Sequence, residues 1–220
     1  MGKLFMVATP IGNLGDISFR AIETLKNVSL VLAEDTRRTK ILFDHYNIKT
    51  PLQSFHEHSG LGKIEKTILY IKEGNDTALV SDAGTPNFSD PGGKLAEAAW
   101  QAGIQVVPIP GVSSLTALIS VAPISMSDFS FKGYFPKKKG RQTMITEIKK
   151  YKSPVVFLES SHRIRKTLVL LKESLPDFNI LIGRELTKVY EEIVFCSLKD
   201  LDEEKITEKG EFIIALAKGN

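Results

Sequence analysis

Carboxylates, guanidiniums and glycines gather in four short stretches of this sequence, and each stretch follows an apolar run. The first is Ala8-Thr9-Pro10-Ile11-Gly12-Asn13-Leu14-Gly15-Asp16. Its glycines let a main chain approach a ligand closely or adopt positive φ. Their spacing is not the dinucleotide G-x-G-x-x-G, and the chain has no G-K-[ST] for a nucleoside triphosphate. The second is Ala33-Glu34-Asp35-Thr36-Arg37-Arg38-Thr39. Asp35 can cap a helix there, but Arg37 and Arg38 would then set cations against the positive end of the helix dipole. An anion beside them, carboxylate or phosphate, is expected. The third is Ser81-Asp82-Ala83-Gly84-Thr85-Pro86, continued by Asp90-Pro91-Gly92-Gly93. It reads as a rigid loop with exposed amides and a carboxylate able to hold a ligand ammonium. The fourth, Pro108-Ile109-Pro110-Gly111-Val112-Ser113-Ser114, is a comparable loop opening onto a helix.

Other chemistries find less support. His56-Glu57-His58 lacks the further ligands that zinc requires, so no metal site is expected. There is no G-x-S-x-G elbow, and Ser113 has no identifiable partner base, which disfavours a serine hydrolase.

The elements that must hold these loops alternate. Mostly apolar strand signals at Leu4–Ala8, Ser29–Ala33, Thr77–Ser81 and Ile104–Ile109, with a weak one at Leu52–Phe55, are separated by helical periodicities at Ser18–Asn27, Arg37–Tyr46, Lys63–Lys72 and Gly93–Gln101. Such alternation predicts a mainly parallel sheet covered on both faces. Ligands of such sheets sit beyond the carboxyl ends of the strands, where all four loops fall. After a helix at Ser113–Val121 the pattern changes. Strands at Phe129–Phe135, Val155–Leu158, Ile180–Glu185, Glu191–Ser197 and Glu211–Ala217 surround only two helices, Gln142–Tyr151 and His162–Ser174, so a mixed sheet is expected. The division is an α/β domain over 1–112 and a second over 113–220.

The chain has 220 residues, with 42% hydrophobic and 25% charged, as expected of a soluble protein with a substantial core. No run approaches the roughly 18 apolar residues of a membrane helix, and Leu4–Ala8 reaches Thr9-Pro10 too early for a signal peptide. A cytoplasmic location is expected. The single cysteine, Cys196, excludes an intrachain disulfide and reads as a packing residue. The net charge is only +3, yet residues 132–152 hold eight basic residues against Glu147, leaving the remainder net negative. The Lys137-Lys138-Lys139-Gly140-Arg141 segment, following Tyr134 and Phe135, suits attraction to a nucleic-acid backbone with base stacking beside it.

Taken in order, V-A-T-P-I-G-N-L-G-D-I (7–17), A-E-D-T-R-R-T (33–39), S-F-H-E-H (54–58), A-L-V-S-D-A-G-T-P (78–86), S-D-P-G (89–92), V-V-P-I-P-G-V-S-S (106–114), F-L-E-S-S-H-R (157–163), G-R-E-L-T-K (183–188) and K-G-E-F (209–212) span nearly the whole chain. Together they resemble the ribosomal RNA small-subunit methyltransferase I family of the tetrapyrrole-methylase superfamily, 16S rRNA cytidine 2′-O-methyltransferases. Two departures stand out. The chain ends at Asn220, where many relatives continue into a small helical tail that helps hold RNA, and Ser160 or Ser161 replaces the usual proline of E-S-P-H-R.

The resemblance implies the two-domain tetrapyrrole-methylase fold, a homodimer, and S-adenosylmethionine held in the interdomain cleft. It implies donor contacts from Pro10, Asp82, Ala83, Gly84, Thr85, Pro110, Gly111, Val112 and Ser113, with Glu159 and Ala215 facing the cleft from the second domain. Methyl transfer needs alignment and an acceptor for the hydroxyl proton, and Glu34, Asp35, Glu159 and Glu185 are the candidates. Arg37, Arg38, Arg163, Arg184 and Lys188 on the motif loops, with Lys137, Lys138, Lys139 and Arg141, are the candidate grips on 16S rRNA in the small subunit. A tetrapyrrole (precorrin-type) methylase of the same superfamily and a non-catalytic RNA-binding module remain the alternatives.

Overall fold

Four tetrads, apolar except for Thr77, and one shorter segment build the N-terminal sheet: β1 (Leu4–Val7), β2 (Leu30–Ala33), β3 (Leu52–Ser54), β4 (Thr77–Val80) and β5 (Val106–Ile109). All pairings are parallel, in the order β3-β2-β4-β1-β5. Burial on both faces explains why the strands do not alternate in polarity. The computed structural model describes residues 1–56, 59–88 and 92–219. It divides into two compact units, Met1–Ser113 and Ser114–Asn220.

Local chemistry sets the helices of the first unit. The side chain of Ser18 accepts from Ala21 N–H to start α1 (Phe19–Asn27), and that of Asp35 accepts from Arg37 N–H to start α2 (Thr36–His45). α3 (Leu61–Lys72) and α4 (Gly93–Gln101) follow. Ala21, Leu25, Leu42 and Phe43 pack with Val7, Val31 and Val80 on one face of the sheet; Ile64, Ile71, Leu95 and Ala99 pack with Leu4, Leu32 and Leu79 on the other. The chains leaving β1 and β2 therefore turn to one face, and the chain leaving β4, their common neighbour, turns to the opposite face. Their divergence opens a crevice at the strand ends, the position that doubly wound sheets offer to ligands.

The second unit contains α5 (Ser114–Ser120), β6 (Ser130–Tyr134), α6 (Arg141–Lys150), β7 (Val155–Ser160), α7 (Ile164–Ser174), β8 (Phe178–Arg184), β9 (Glu192–Ser197) and β10 (Glu211–Lys218). Its sheet is mixed, as expected: β6 and β7 are parallel, and the other pairs antiparallel. The order β6-β7-β10-β8-β9 inserts the last strand at the centre. Phe157, Ile180, Ile182, Phe212 and Ile214 meet α6 and α7 on one face. Val156, Leu181, Ile213 and Ala215 point to the other, where α5 lies against β10. Gly183 permits that approach, since a Cβ there would come within 2.8 Å of Leu118 Cδ1.

Candidate functional site

At the carboxyl edge of the parallel sheet the four loops are stitched together. Beyond β1, Thr9 N–H donates to Gly84 O at 2.9 Å and Gly84 N–H returns a bond to Thr9 O at 3.0 Å. The buried Thr9 hydroxyl donates to Ser81 O, and the Ser81 hydroxyl donates to Gly84 O. Gly84 has φ +78°, a conformation that a side chain would strain. The loop after β5 closes in from the other side. A Cβ on Gly111 would lie 2.9 Å from Ala8 Cβ, and the Ser18 hydroxyl donates to Pro110 O at 3.4 Å. Pro10 leaves directly from this junction, and Val112 O sits beside Gly84.

The loop after β2 joins through charge. Asp35 N–H donates to Asp82 Oδ1 at 2.9 Å, and Arg38 lies 3.4 Å from Asp82 Oδ2. Arg37 grips Asp35 with Nε at 3.0 Å and Nη2 at 2.7 Å. The anion expected beside these arginines is thus a carboxylate of the same unit, while both guanidiniums stay largely exposed. The Arg37 side-chain hydrogen bonds, then its backbone N–H, hold the Asp35 carboxyl at about 2. A carboxylate that acidic is a weak proton acceptor at neutral pH. Ala83 and Thr85 flank Gly84, Glu34 is half-buried at the end of β2, and Ser113 is half-buried after Val112.

The residues expected from the C-terminal half stand differently. Glu159 is not an open carboxylate. Its side chain is fully buried, with Oε1 accepting from Ser160 N–H at 2.7 Å and from Arg163 Nη2 at 2.6 Å, and Oε2 accepting from the Thr167 hydroxyl at 2.6 Å. Strand parity also separates it from Ala215: Glu159 pairs with Phe212 and faces α7, whereas Ala215 pairs with Val156 and faces the α5 side. The two side chains therefore leave opposite faces of the sheet, because residues an odd number of positions apart across this register point to opposite faces. Glu185, at φ +49°, accepts from Lys188 Nζ and Glu211 N–H, both at 2.9 Å. Burial pushes its carboxyl up, but the Lys188 ammonium and the Glu211 amide outweigh it and hold the group below its usual range. Neither carboxylate has the setting of a base.

The cations of these motifs are occupied too. Arg163 also donates to Phe135 O at 2.9 Å; Arg184 donates to Lys209 O and Tyr190 O, and Lys188 to Glu185 and Glu211. These three candidate grips on RNA are each bonded to groups of the second unit. Arg141 is half-buried, donating to Thr167 Oγ1 at 2.8 Å over the Phe135 ring. Lys137, Lys138 and Lys139 are exposed.

The sequence reading missed Thr9 and Ser81, the hydroxyls that tie β1 to β4, although both lie inside quoted motifs. It also missed Thr167, whose signal is a polar side chain in the apolar stripe Ile164, Leu168, Leu171. Of the His56-Glu57-His58 and Asp90-Pro91-Gly92-Gly93 stretches, Glu57, His58, Asp90 and Pro91 lie outside the described residues, as does Ser89 of S-D-P-G. Among the described residues no group of three His, Cys, Asp or Glu could hold a metal, and no helix is long and apolar enough to cross a membrane. Cys196 packs against the core of the second unit, and burial pushes its thiol up. A depression of about 250 Å³ lined by Phe5, Arg20, Glu23, Asn27 and Asp76 lies at the strand starts, away from these loops.

Comparison with known proteins places this arrangement. The profile of the tetrapyrrole (corrin/porphyrin) methylases matches residues 3–202. The ribosomal RNA small subunit methyltransferase I of Thermotoga maritima is 45% identical over 87% of this chain and 86% of its own. That of Bacillus subtilis is 42% identical over 100% of this chain and 76% of its own. Among solved structures, a diphthine synthase superposes with a TM-score of 0.75 at 14% identity, covering 98% of this chain and 90% of that one. A Thermus thermophilus uroporphyrin-III C-methyl transferase complexed with S-adenyl homocysteine superposes with a TM-score of 0.66 at 18% identity, covering 98% and 97%. At such identities these structures speak for the fold alone. The chain belongs to the tetrapyrrole (corrin/porphyrin) methylase family and, within it, to the ribosomal RNA small subunit methyltransferase I family.

Proposed function

We propose that this protein transfers a methyl group from S-adenosylmethionine to the ribose 2′-hydroxyl of a cytidine in 16S rRNA. The observation that carries the reading is the convergence of the loops after β1, β2, β4 and β5 at one edge of the first unit. They are linked by the Thr9–Gly84 bridge and the Asp35–Asp82 hydrogen bond. Their sequences are those of a chain 40–45% identical to rRNA methyltransferases over most of its length. The exposed Lys137–Lys139 run supplies the cationic surface that an RNA backbone needs. A homodimer acting on the small ribosomal subunit in the cytoplasm completes the reading.

The residues fit a sulfonium donor. Gly84 and Gly111 keep the loops free of Cβ atoms where they close on Ile11 and Ala8, which leaves main-chain groups to line the crevice. Pro10, Ala83, Gly84, Thr85 and Pro110 to Ser113 would hold the donor, which when bound supplies an electrophilic methyl with a good leaving group. Asp82, its carboxylate braced by Asp35 and Arg38, sets the crevice wall and offers negative charge to the donor's cationic groups. Glu34, half-buried at the end of β2 beside these loops, is our candidate to take the hydroxyl proton.

The test is transfer of tritiated methyl from S-adenosylmethionine to small ribosomal subunits, naked 16S rRNA and a tetrapyrrole precursor, followed by mass mapping. Label on a cytidine ribose is the expected result. Label on the tetrapyrrole alone would replace this reading, and RNA binding with no transfer would reduce the protein to a binding module.

A further inference from the structure

We propose that Glu159 is a positioning residue for RNA: its buried carboxylate fixes both ends of the Lys137–Lys139 loop, so that the three ammoniums meet the phosphodiester backbone from a rigid base. The inference rests on the RNA reading above and adds to it the device that presents the loop.

The loop runs from Phe135 to Arg141, between β6 and α6. At its first end Phe135 is buried against Phe157, with ring centroids 5.1 Å apart, and its N–H donates to Leu158 O at 2.8 Å. Its carbonyl accepts from Arg163 Nη1 at 2.9 Å, and the same guanidinium reaches Glu159 Oε1 through Nη2 at 2.6 Å. At its second end Arg141 donates to Thr167 Oγ1 at 2.8 Å, and that hydroxyl donates to Glu159 Oε2 at 2.6 Å. Each oxygen of one carboxylate thus anchors one end of the loop. The Arg141 guanidinium lies 5.5 Å from the centroid of the Phe135 ring, which draws the two ends together.

Physical reasons favour a positioning role over a merely stabilising one. A buried ion pair is a weak source of net stability, because desolvation cancels much of the attraction, but it fixes geometry. Lysine side chains lose rotamer freedom on gripping phosphate, and a pre-formed loop base limits that cost to the side chains themselves. Among the described residues of the loop, Lys137, Lys138, Lys139 and Gly140 are exposed while Phe135 is fully buried, so the loop is firm at its root and open at its tip.

The experiment measures RNA affinity against salt for wild type, Glu159→Gln, Thr167→Val, the triple Lys137→Ala/Lys138→Ala/Lys139→Ala variant, and each single change combined with the triple one. Glu159→Gln is expected to weaken 16S rRNA binding about tenfold and to flatten its salt dependence, while the dissociation constant for S-adenosylmethionine holds. In the lysine-free background it should cost nothing more, because the groups it positions are gone. Faster amide exchange at residues 137–140 should accompany it. A wild-type salt slope in Glu159→Gln, or an equal loss in both backgrounds, overturns the proposal. Thr167→Val frees only the Arg141 end and carries the same test should Glu159→Gln fail to fold. Unchanged RNA affinity in the triple lysine variant also overturns it, but leaves the methyltransferase reading standing if label still reaches RNA. Absence of transfer by wild type would instead remove that reading.

Discussion

The main-chain N–H of Asp35 donates to the Asp82 carboxylate at 2.9 Å, across 47 positions of sequence. One carboxylate thereby ties the loop after β2 to the loop after β4, while its second oxygen stays within 3.4 Å of Arg38. The bond is possible because β2 and β4 are neighbours whose ends lie in register, Ala33 beside Val80. The charge of Asp82 and the shape of the crevice are therefore one feature.

Removing that carboxylate should be felt in donor binding more than in folding. Asp82→Ala is expected to weaken S-adenosylmethionine binding at least tenfold, about 1.4 kcal/mol, and to lower unfolding free energy by about 1 kcal/mol through the lost amide acceptor. Asp82→Asn keeps an acceptor for Asp35 N–H and should recover most of the stability but not the affinity. Calorimetry and urea titration separate the two effects, and equal affinities for Asp82→Asn and wild type would deny the carboxylate its part in binding.

Close packing of the loops makes Gly111 a sensitive position. A methyl added there meets Ala8 Cβ at 2.9 Å and Ala8 O at 3.5 Å, with no flexible side chain to give way. Gly111→Ala should cost about 1–3 kcal/mol and depress donor affinity. Gly62→Ala is the control: nothing lies within 4 Å of its added methyl, and a helical alanine there should raise stability by about 0.5–1 kcal/mol. Thermal unfolding of the pair checks both signs.

Asp35 gives a pH prediction. Its folded carboxyl titrates at about 2 instead of 3.8, chiefly through the hydrogen bonds from Arg37. A depressed carboxylate contributes its stabilisation above the unfolded value and loses it as pH falls through the folded one. The cap of α2 should therefore be insensitive to pH from about 5 upward and weaken progressively as pH falls below that. A side-chain carboxyl NMR titration should show a midpoint near 2. A midpoint at 3.8 would mean that Arg37 does not hold Asp35 in solution.

Lys188 and Glu185 predict the reverse test of a locked pair. Lys188→Met leaves Glu185 facing Glu211 N–H without its ammonium, a loss of about 1 kcal/mol at neutral pH. Glu185 is held below its ordinary value in the wild type, so the pairing stabilises above that range and fades as acid protonates the carboxylate. Unfolding curves of the two proteins should converge in acid; a gap that does not narrow would assign the loss to packing of the lysine stem.

Much of this architecture was legible one segment at a time. Short apolar runs, the Ser18 and Asp35 caps and the change from alternating to consecutive strands depend on neighbours in the chain, so the element order, the two kinds of sheet and the loops that fall at strand ends can be read from local patterns. Those patterns do not determine pairing at a distance. That β10 enters between β7 and β8 and that Glu159 turns toward α7 while Ala215 turns away follow from register, where a shift of one residue reverses a side chain's face. That Arg163, Arg184 and Lys188 find bonding partners at Phe135, Lys209 and Glu211 depends on segments brought together by folding. A carboxylate at a motif looks the same in sequence whether it is open to a substrate or saturated by a guanidinium and a hydroxyl. Only the packed structure, which decides how many donors reach each oxygen, tells the two apart.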